Sequence, residues 1–397
     1  MREIRQSGSE GGAAQFNVLS LPLSVSLSFS RASRVSAMVN DELNLVGVIM
    51  AGGTGTRFWP LSTAEKPKQF LKLFGDRSLL QQSFDRIANL ISHERILVLT
   101  NAAFVDLVRE QLPEVPEQNV IGEPMRRDTA AAVCLGAVLC RTRFGNPVVA
   151  TLTADHLIEP VDLFQRTLVS AARQARGSGA LYTFGVQPSY AATGYGYLEV
   201  GSRVHDDSGI DHFQLLSFRE KPQQEVARRY VESGRFFWNS GMFVWTVDAI
   251  LREIEAHLPN HLKVLSRAVS FEGTPNWPEA LKNAFHALET ISIDFGVMEK
   301  SESVRCVASR FSWTDVGGWL ALRDFLEQDA AGNRLRGRVI AADATGNLVF
   351  CENAEEVVML VGVRDLVVVR AGNKTLIVHK NRTEEIKKLV QLMQADH

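Results

Sequence analysis

The stretch from Val46 to Leu73 constrains this chain most. A short apolar run, Leu45-Val46-Gly47-Val48-Ile49-Met50, leads into a turn that holds Gly52, Gly53 and Gly55. An apolar run of this kind reads as a strand buried in a parallel sheet. The glycines let the backbone bend freely and bring its N–H groups close to a ligand. Arg57 and Lys68 follow, with Pro60 and Pro67 between them. A strand followed by N–H donors and two cations suits triphosphate chemistry. Two common glycine loops do not fit. A dinucleotide loop wants G-x-G-x-x-G before a helix, yet Gly53-Thr54-Gly55 runs on into Thr56-Arg57-Phe58 without a third glycine. A P-loop wants a terminal Gly-Lys-Ser/Thr, and that is absent too.

Downstream, strand-like and helix-like segments alternate. Arg77 to Leu90 reads as a helix, Ile96 to Thr100 as a strand, and Ala102 to Leu112 as a helix stopped by Pro113. Val120-Ile121-Gly122 is a short strand, Thr129 to Arg143 an alanine-rich helix, and Val148 to Thr153 the next core strand. This order predicts an α/β, Rossmann-like sheet, mostly parallel, with helices on both faces. Ligands then gather at the carboxyl ends of the strands, where the glycine turn, Glu123 and Asp155 all fall. Past residue 160 the pattern turns mixed, with antiparallel strands expected at 196–200 and 213–218 and a strand at 243–247. After about 335 come short β segments separated by turns at Gly346, Gly362 and Gly372-Asn373, then a helix from Glu384 to Met393. These read as a small β-rich appendage, with no evidence for solenoid repeats beyond the spacing. The expected division is a leader over 1–42, a catalytic domain over 43–330 and the appendage over 331–397.

The leader is rich in Ser, Gly and Ala, and its serines interrupt the apolar run that a signal peptide needs. A disordered arm is the preferred reading, with Met38 a reasonable start; an Arg- and Ser-rich transit arm is the alternative. A formal net charge of -2 argues against a nucleic-acid footprint. The four cysteines, Cys134, Cys140, Cys306 and Cys351, show no C-x-x-C spacing and are expected as free thiols in a reducing cytoplasm. No apolar run reaches membrane-spanning length. His93, His156 and His379 lack the partner spacing of a zinc site.

Several short motifs carry chemistry, each weak alone. Asp155 follows a core strand, in Thr153-Ala154-Asp155-His156, and Asp315 sits in Trp313-Thr314-Asp315-Val316-Gly317-Gly318. A carboxylate at a strand end facing a phosphate loop suits Mg²⁺, which takes few carboxylates plus phosphate oxygens; an aspartate capping a turn is the commoner use of either residue alone. In Phe218-Arg219-Glu220-Lys221-Pro222 a strand delivers a carboxylate for sugar hydroxyls and a lysine for a phosphate. Alone, that motif reads as an exposed helix entrance. Asn239, in Trp238-Asn239-Ser240-Gly241-Met242-Phe243, can donate to and accept from hydroxyls, and the backbone at Gly196 can approach a hexose closely. Glu123-Pro124-Met125-Arg126-Arg127-Asp128-Thr129-Ala130 stands at a helix start, which can hold an anion or a polar base edge.

Together these motifs resemble the sugar nucleotidyltransferases. The wording Phe58-Trp59-Pro60-Leu61-Ser62 and Lys66-Pro67-Lys68-Gln69-Phe70 is similar to the mannose-1-phosphate guanylyltransferase branch, and the resemblance covers about 45 to 380. It implies the nucleotide-diphospho-sugar transferase type of sheet and transfer of GMP from GTP to mannose 1-phosphate. It also implies a Mg²⁺ ion on Asp155 and Asp315, and catalytic roles for Arg57, Lys68 and Lys221. Nucleotide binding would fall to Ala51, Gly52, Gly53, Gly55, Thr56, Glu123, Arg127 and Thr129. Sugar binding would fall to Gly196, Glu220 and Asn239, with Asp294 as support. A homodimer is expected, without nucleic-acid or membrane partners. The chain departs from the branch at Asp128, where asparagine is usual, and at Arg370 to Lys374, where T-x-D-A is common. No isomerase activity is expected, because the cupin domain of fused members is not part of this sequence. A related transferase with another base or hexose, and a silent GDP-mannose-binding regulator, are the rival readings.

Overall fold

The structure is a computed structural model that describes residues 43–395 apart from 54, 56, 206 and 207. The expected leader, Met38 and Thr56 lie outside the described residues.

A nine-stranded sheet forms the body. Its first half is parallel: β1 (Leu45–Ala51) lies between β2 (Ile96–Asn101) and β4 (Val148–Thr153), and β3 (Val120–Glu123) flanks β2. These strands are apolar on both faces because helices cover both. On one face, α1 (Leu79–Ala88), α2 (Val105–Gln111) and α4 (Val161–Ser178) bury residues such as Phe84, Ile87 and Phe164. On the other, α3 (Asp128–Phe144) presents alanines and cysteines to Val48 and Leu99. Small side chains let α3 approach closely; a Cβ at Gly136 would stand 3.3 Å from Val48. Helix α1 starts with a capping box in which Ser78 and Gln81 satisfy one another's backbone N–H.

The second half of the sheet is mixed. β6 (Leu181–Val186) and β10 (Val304–Ser309) pair in parallel. β7 (Tyr197–Val204), β8 (His212–Arg219) and β9 (Phe236–Thr246) add antiparallel pairings. β9 starts well before the expected Phe243. Gly241, at φ 69°, sits inside it where the β6–β9 register shifts, so it forms a bulge within a long strand. A separate ribbon of β5 (Leu157–Glu159) and β11 (Ser312–Thr314) brings the segments after β4 and β10 together. Helices α5 (Gln224–Ser233), α6 (Val247–His257), α7 (Pro259–Val269) and α8 (Trp277–His286) complete this half.

The C-terminal segment corrects the expectation of no solenoid. β12 (Glu327–Gln328) opens it. β13 (Arg334–Arg336), β15 (Leu348–Cys351) and β17 (Leu366–Ala371) stack in parallel; so do β14 (Arg338–Ala342) and β16 (Val357–Val361). Successive turns of a coil lie on one another, with Arg334 on Leu348 and Leu348 on Val367. A buried ladder holds one corner: Asn333 Oδ1 accepts from the backbone and side chain of Asn347 at 2.9 Å, and Asn347 Oδ1 accepts from Leu366 N at 3.0 Å. β18 (Lys374–His379) then runs antiparallel to β17, and α9 (Ile386–Ala395) ends the described chain. The coil packs on the body through Phe58, Leu71, Trp319, Phe350 and Val369, all buried in one cluster.

Candidate active site

The crevice lies at the carboxyl ends of the parallel strands. Gln69 shapes the glycine turn: its amide donates to the carbonyls of Ala51 at 2.8 Å and Gly53 at 2.9 Å. Thr100 also donates to Ala51 O, at 3.0 Å. The turn is thus fixed by the Lys66-Pro67-Lys68-Gln69 motif that follows it in sequence.

Lys68 joins the two candidate metal aspartates. Its ammonium lies 3.1 Å from Asp155 Oδ2 and donates to the carbonyls of Asp315 at 2.6 Å and Val316 at 3.1 Å. Residues 155 and 315, far apart in sequence, therefore meet on one lysine. Each has its own support. Ser83 donates to Thr153 O at 2.8 Å and Arg86 to His156 O at 3.0 Å, so α1 grips the turn that carries Asp155. Burial pulls the fully enclosed Arg86 down to about 10, which leaves it charged at neutral pH. Burial pushes the Asp155 carboxyl up, but the charges of Lys68 and His156 outweigh it and hold it below the usual range. His156 Nδ1 accepts from the Trp313 indole at 3.1 Å, and burial pulls its imidazole down to about 4. Tyr195 donates to Asp315 Oδ1 at 2.8 Å. Burial and the Asp315 charge push its phenol up, so it stays a donor. Among the described residues no group of three or more His, Cys, Asp or Glu could cage a metal. Two carboxylates beside the glycine turn nevertheless match the donor set that Mg²⁺ takes with phosphate oxygens, and both keep unused lone pairs.

Arg57 is loosely held. Its guanidinium stands 3.5 Å from Gly317 O and 3.6 Å from Glu384, and half of the side chain meets solvent. It opens on a cavity of about 610 Å³ whose walls include Tyr195, Trp313, Asp315, Trp319 and Glu384.

A second set of residues is joined to the first through Tyr195, which touches both Asp315 and Lys221. Glu220 Oε1 is 3.0 Å from Lys221 Nζ, while Glu220 Oε2 is buried without a partner. Lys221 has a φ of 47°, a costly conformation for a lysine, and its N–H donates to Tyr195 O at 3.2 Å. Gly196 leaves room for this carboxylate: a Cβ would stand 2.4 Å from Glu220 Oε2 and 3.2 Å from Asn239 Cβ, so Glu220 would have to move. Asn239 donates to Asp294 Oδ1 at 2.9 Å, accepts from Thr183 at 2.8 Å, and its N–H donates to Gly196 O at 2.8 Å. Burial, with the neighbouring charge of Glu220, pushes Asp294 up to about 7. Glu123 ends β3 almost fully enclosed, and burial pushes its carboxyl up to about 8.

Two sequence-derived candidates are engaged elsewhere. Arg127 Nε donates to Phe285 O at 2.7 Å, and Thr129 Oγ1 accepts from Ile293 N at 2.8 Å. The start of α3 is also occupied: Thr129 N donates to Asp128 Oδ1 at 2.8 Å and Ala130 N to Ile291 O at 3.2 Å. These donors are not free for an anion. Sequence reasoning missed Thr183, Arg86 and the Trp313–His156 pair. An ordinary threonine and a buried histidine carry no local signal.

A nucleotidyl transferase family model matches residues 46–332. A model described as a MannoseP isomerase/GMP-like beta-helix domain matches 337–393. A mannose-1-phosphate guanylyltransferase of Sinorhizobium fredii is 36% identical over 91% of this chain and 70% of its own length. One of Escherichia coli K12 is 36% identical over 89% and 74%. A crystal structure from Thermus thermophilus, described as a mannose-1-phosphate geranyltransferase, superposes with a TM-score of 0.78 at 33% identity, over 88% of this chain and 99% of that one. The fold is that of a sugar-phosphate nucleotidyltransferase. The chain belongs to the nucleotidyl transferase family and, within it, to the mannose-1-phosphate guanylyltransferases. No described helix is long and apolar enough to cross a membrane.

Proposed function

We propose that this crevice transfers GMP from GTP to mannose 1-phosphate, giving GDP-mannose and pyrophosphate. The observation that carries the mechanism is the convergence of Asp155, Lys68 and the Asp315 segment at the mouth of the glycine turn. A phosphate oxygen of mannose 1-phosphate attacks the α-phosphorus of GTP in line. The new P–O bond forms as the bond to the β-phosphate breaks, and pyrophosphate leaves. The attacking phosphate is already ionised, so no general base is needed and the work is positioning and charge neutralisation.

The glycine turn, Ala51 to Gly55, cradles the triphosphate. Arg57 neutralises the leaving pyrophosphate; its loose contacts leave it free to do so. Lys68 balances the charge beside Asp155, and Lys221 holds the incoming sugar phosphate. Glu220 Oε2, a buried acceptor without a donor, takes a sugar hydroxyl, with Asn239 and the Gly196 backbone beside it. Glu123 meets the base. Members of this family generally use a divalent metal; we assign Mg²⁺, held by Asp155 and Asp315, which would neutralise charge on the reacting phosphates. The four cysteines are buried and free, which fits the reducing cytoplasm. A homodimer completes the reading.

Pyrophosphate release tests it, crossing GTP, ATP, UTP and dTTP against mannose 1-phosphate and glucose 1-phosphate with Mg²⁺. Release with GTP and mannose 1-phosphate alone is the expected result. Release with another pair overturns the substrate assignment. No release from folded protein that binds GDP-mannose overturns the catalytic reading.

A further inference from the structure

The segment before α3 and the segment after α8 are fastened together. Arg127 forks onto the carboxyl end of α8: Nε donates to Phe285 O at 2.7 Å, Nη2 to His286 O at 3.4 Å and Nη1 to Thr290 Oγ1 at 3.4 Å. Carbonyls at the end of a helix favour a cation, and Phe285 O takes the fork in addition to Leu288 N at 3.3 Å. Two rungs follow: Ala130 N donates to Ile291 O, and Ile293 N donates to Thr129 Oγ1. Ile293 is fully buried, so its N–H has no water to fall back on.

The next residue is Asp294. Its carboxyl receives the Asn239 amide, and Asn239 is fixed in turn by Thr183 and the Gly196 carbonyl. Residues 290–294 thus form a strap. One part is tied to the start of α3; the residue that follows orients Asn239.

Building on the function proposed above, we propose that Thr129 and Arg127 are positioning residues for sugar-phosphate binding. They act through the 290–294 strap and Asp294 on Asn239, rather than by touching the nucleotide. Without the Thr129 oxygen, the Ile293 N–H must shift to find another acceptor. Asp294 moves with it, and Asn239 loses its orientation. The base-side residues stay in place.

Initial-rate kinetics test this, using whichever nucleotide and sugar 1-phosphate the unmodified protein turns over. A pair other than GTP and mannose 1-phosphate would then overturn the earlier assignment alone, while the positioning role is still read. Thr129→Val is expected to raise the sugar-phosphate KM about five- to tenfold and to leave the nucleotide KM within about twofold, the scale of one lost buried hydrogen bond. Thr129→Ser, which keeps the oxygen, restores the normal value. Arg127→Met shifts the same constant in the same direction and serves where Thr129→Val fails to fold. Combining Thr129→Val with Asp294→Asn gives less than the product of the single effects, because both act on one element. A rise in the nucleotide KM alone, equal rises in both, a loss of thermal stability with both unchanged, or a fully multiplicative double variant overturns the proposal.

Discussion

Glu123 and Asp294 show what burial does to a carboxyl group. Both are enclosed, and their pKa values rise to about 8 and about 7. The folded protein therefore holds protons that the unfolded chain has released. Stability falls wherever the folded state binds more protons and pH rises. The window runs from the unfolded carboxylate range up to about 8. His156 and His261, whose pKa values burial lowers, hold fewer protons folded than unfolded and oppose the fall up to about the ordinary imidazole value, so the fall past it belongs to the two carboxyls. The thermal midpoint of ligand-free protein should drop between pH 6.5 and 8, and Glu123→Gln should flatten the slope. An unchanged slope in that variant would remove Glu123 as the cause. In the proposed role, a buried neutral Glu123 would meet a base differently from a carboxylate, since it can donate as well as accept.

At the scale of elements, contiguous pattern was legible and distant pairing was not. The run at Leu45 to Met50, the alanine-rich α3 and the short β segments all read directly from side-chain period and turn residues. The chemistry-bearing residues also fell in local motifs. What could not be read was contact between segments far apart, such as Arg127 with Phe285 or Thr129 with Ile293. A helix start looks the same in sequence whether its donors face a ligand or another loop. Likewise, alternation marks a strand but does not say whether its neighbour is parallel, so the coil read as an ordinary β appendage. The Asn333–Asn347 ladder is what makes the coil specific. Asn347 is fully enclosed, and its side chain also donates to Val363 O at 3.2 Å. Asn347→Ala takes the acceptor from Leu366 N and one donor each from Asn333 Oδ1 and Val363 O. It is expected to cost about 2–4 kcal/mol, read as a fall in denaturant midpoint; a change within error would make the ladder incidental.

Across the whole molecule, the coil and the crevice share a core. Phe350 of the coil meets Trp319 with ring centroids 5.2 Å apart, and Trp319 meets Phe58 at 5.1 Å. Phe58 directly follows Arg57, and the Trp319 indole donates to Trp59 O at 3.1 Å. The segment carrying the exposed arginine thus rests on aromatic rings supplied in part by the C-terminal coil. Phe350→Ala should cost about 3–5 kcal/mol and also lower turnover at a temperature where the protein remains folded. Lost stability with normal turnover would separate the coil from the chemistry.

The end of that coil has a further consequence. A parallel stack presents on its last turn the same unpaired N–H and C=O groups that joined the turns before it, and so can template another chain. Here the two-residue turn at Gly372-Asn373 sends β18 back against β17 in the opposite direction. The chain caps its own growing end with a strand that cannot start another coil, and a stack that could lengthen into a fibre is closed as a single finite module.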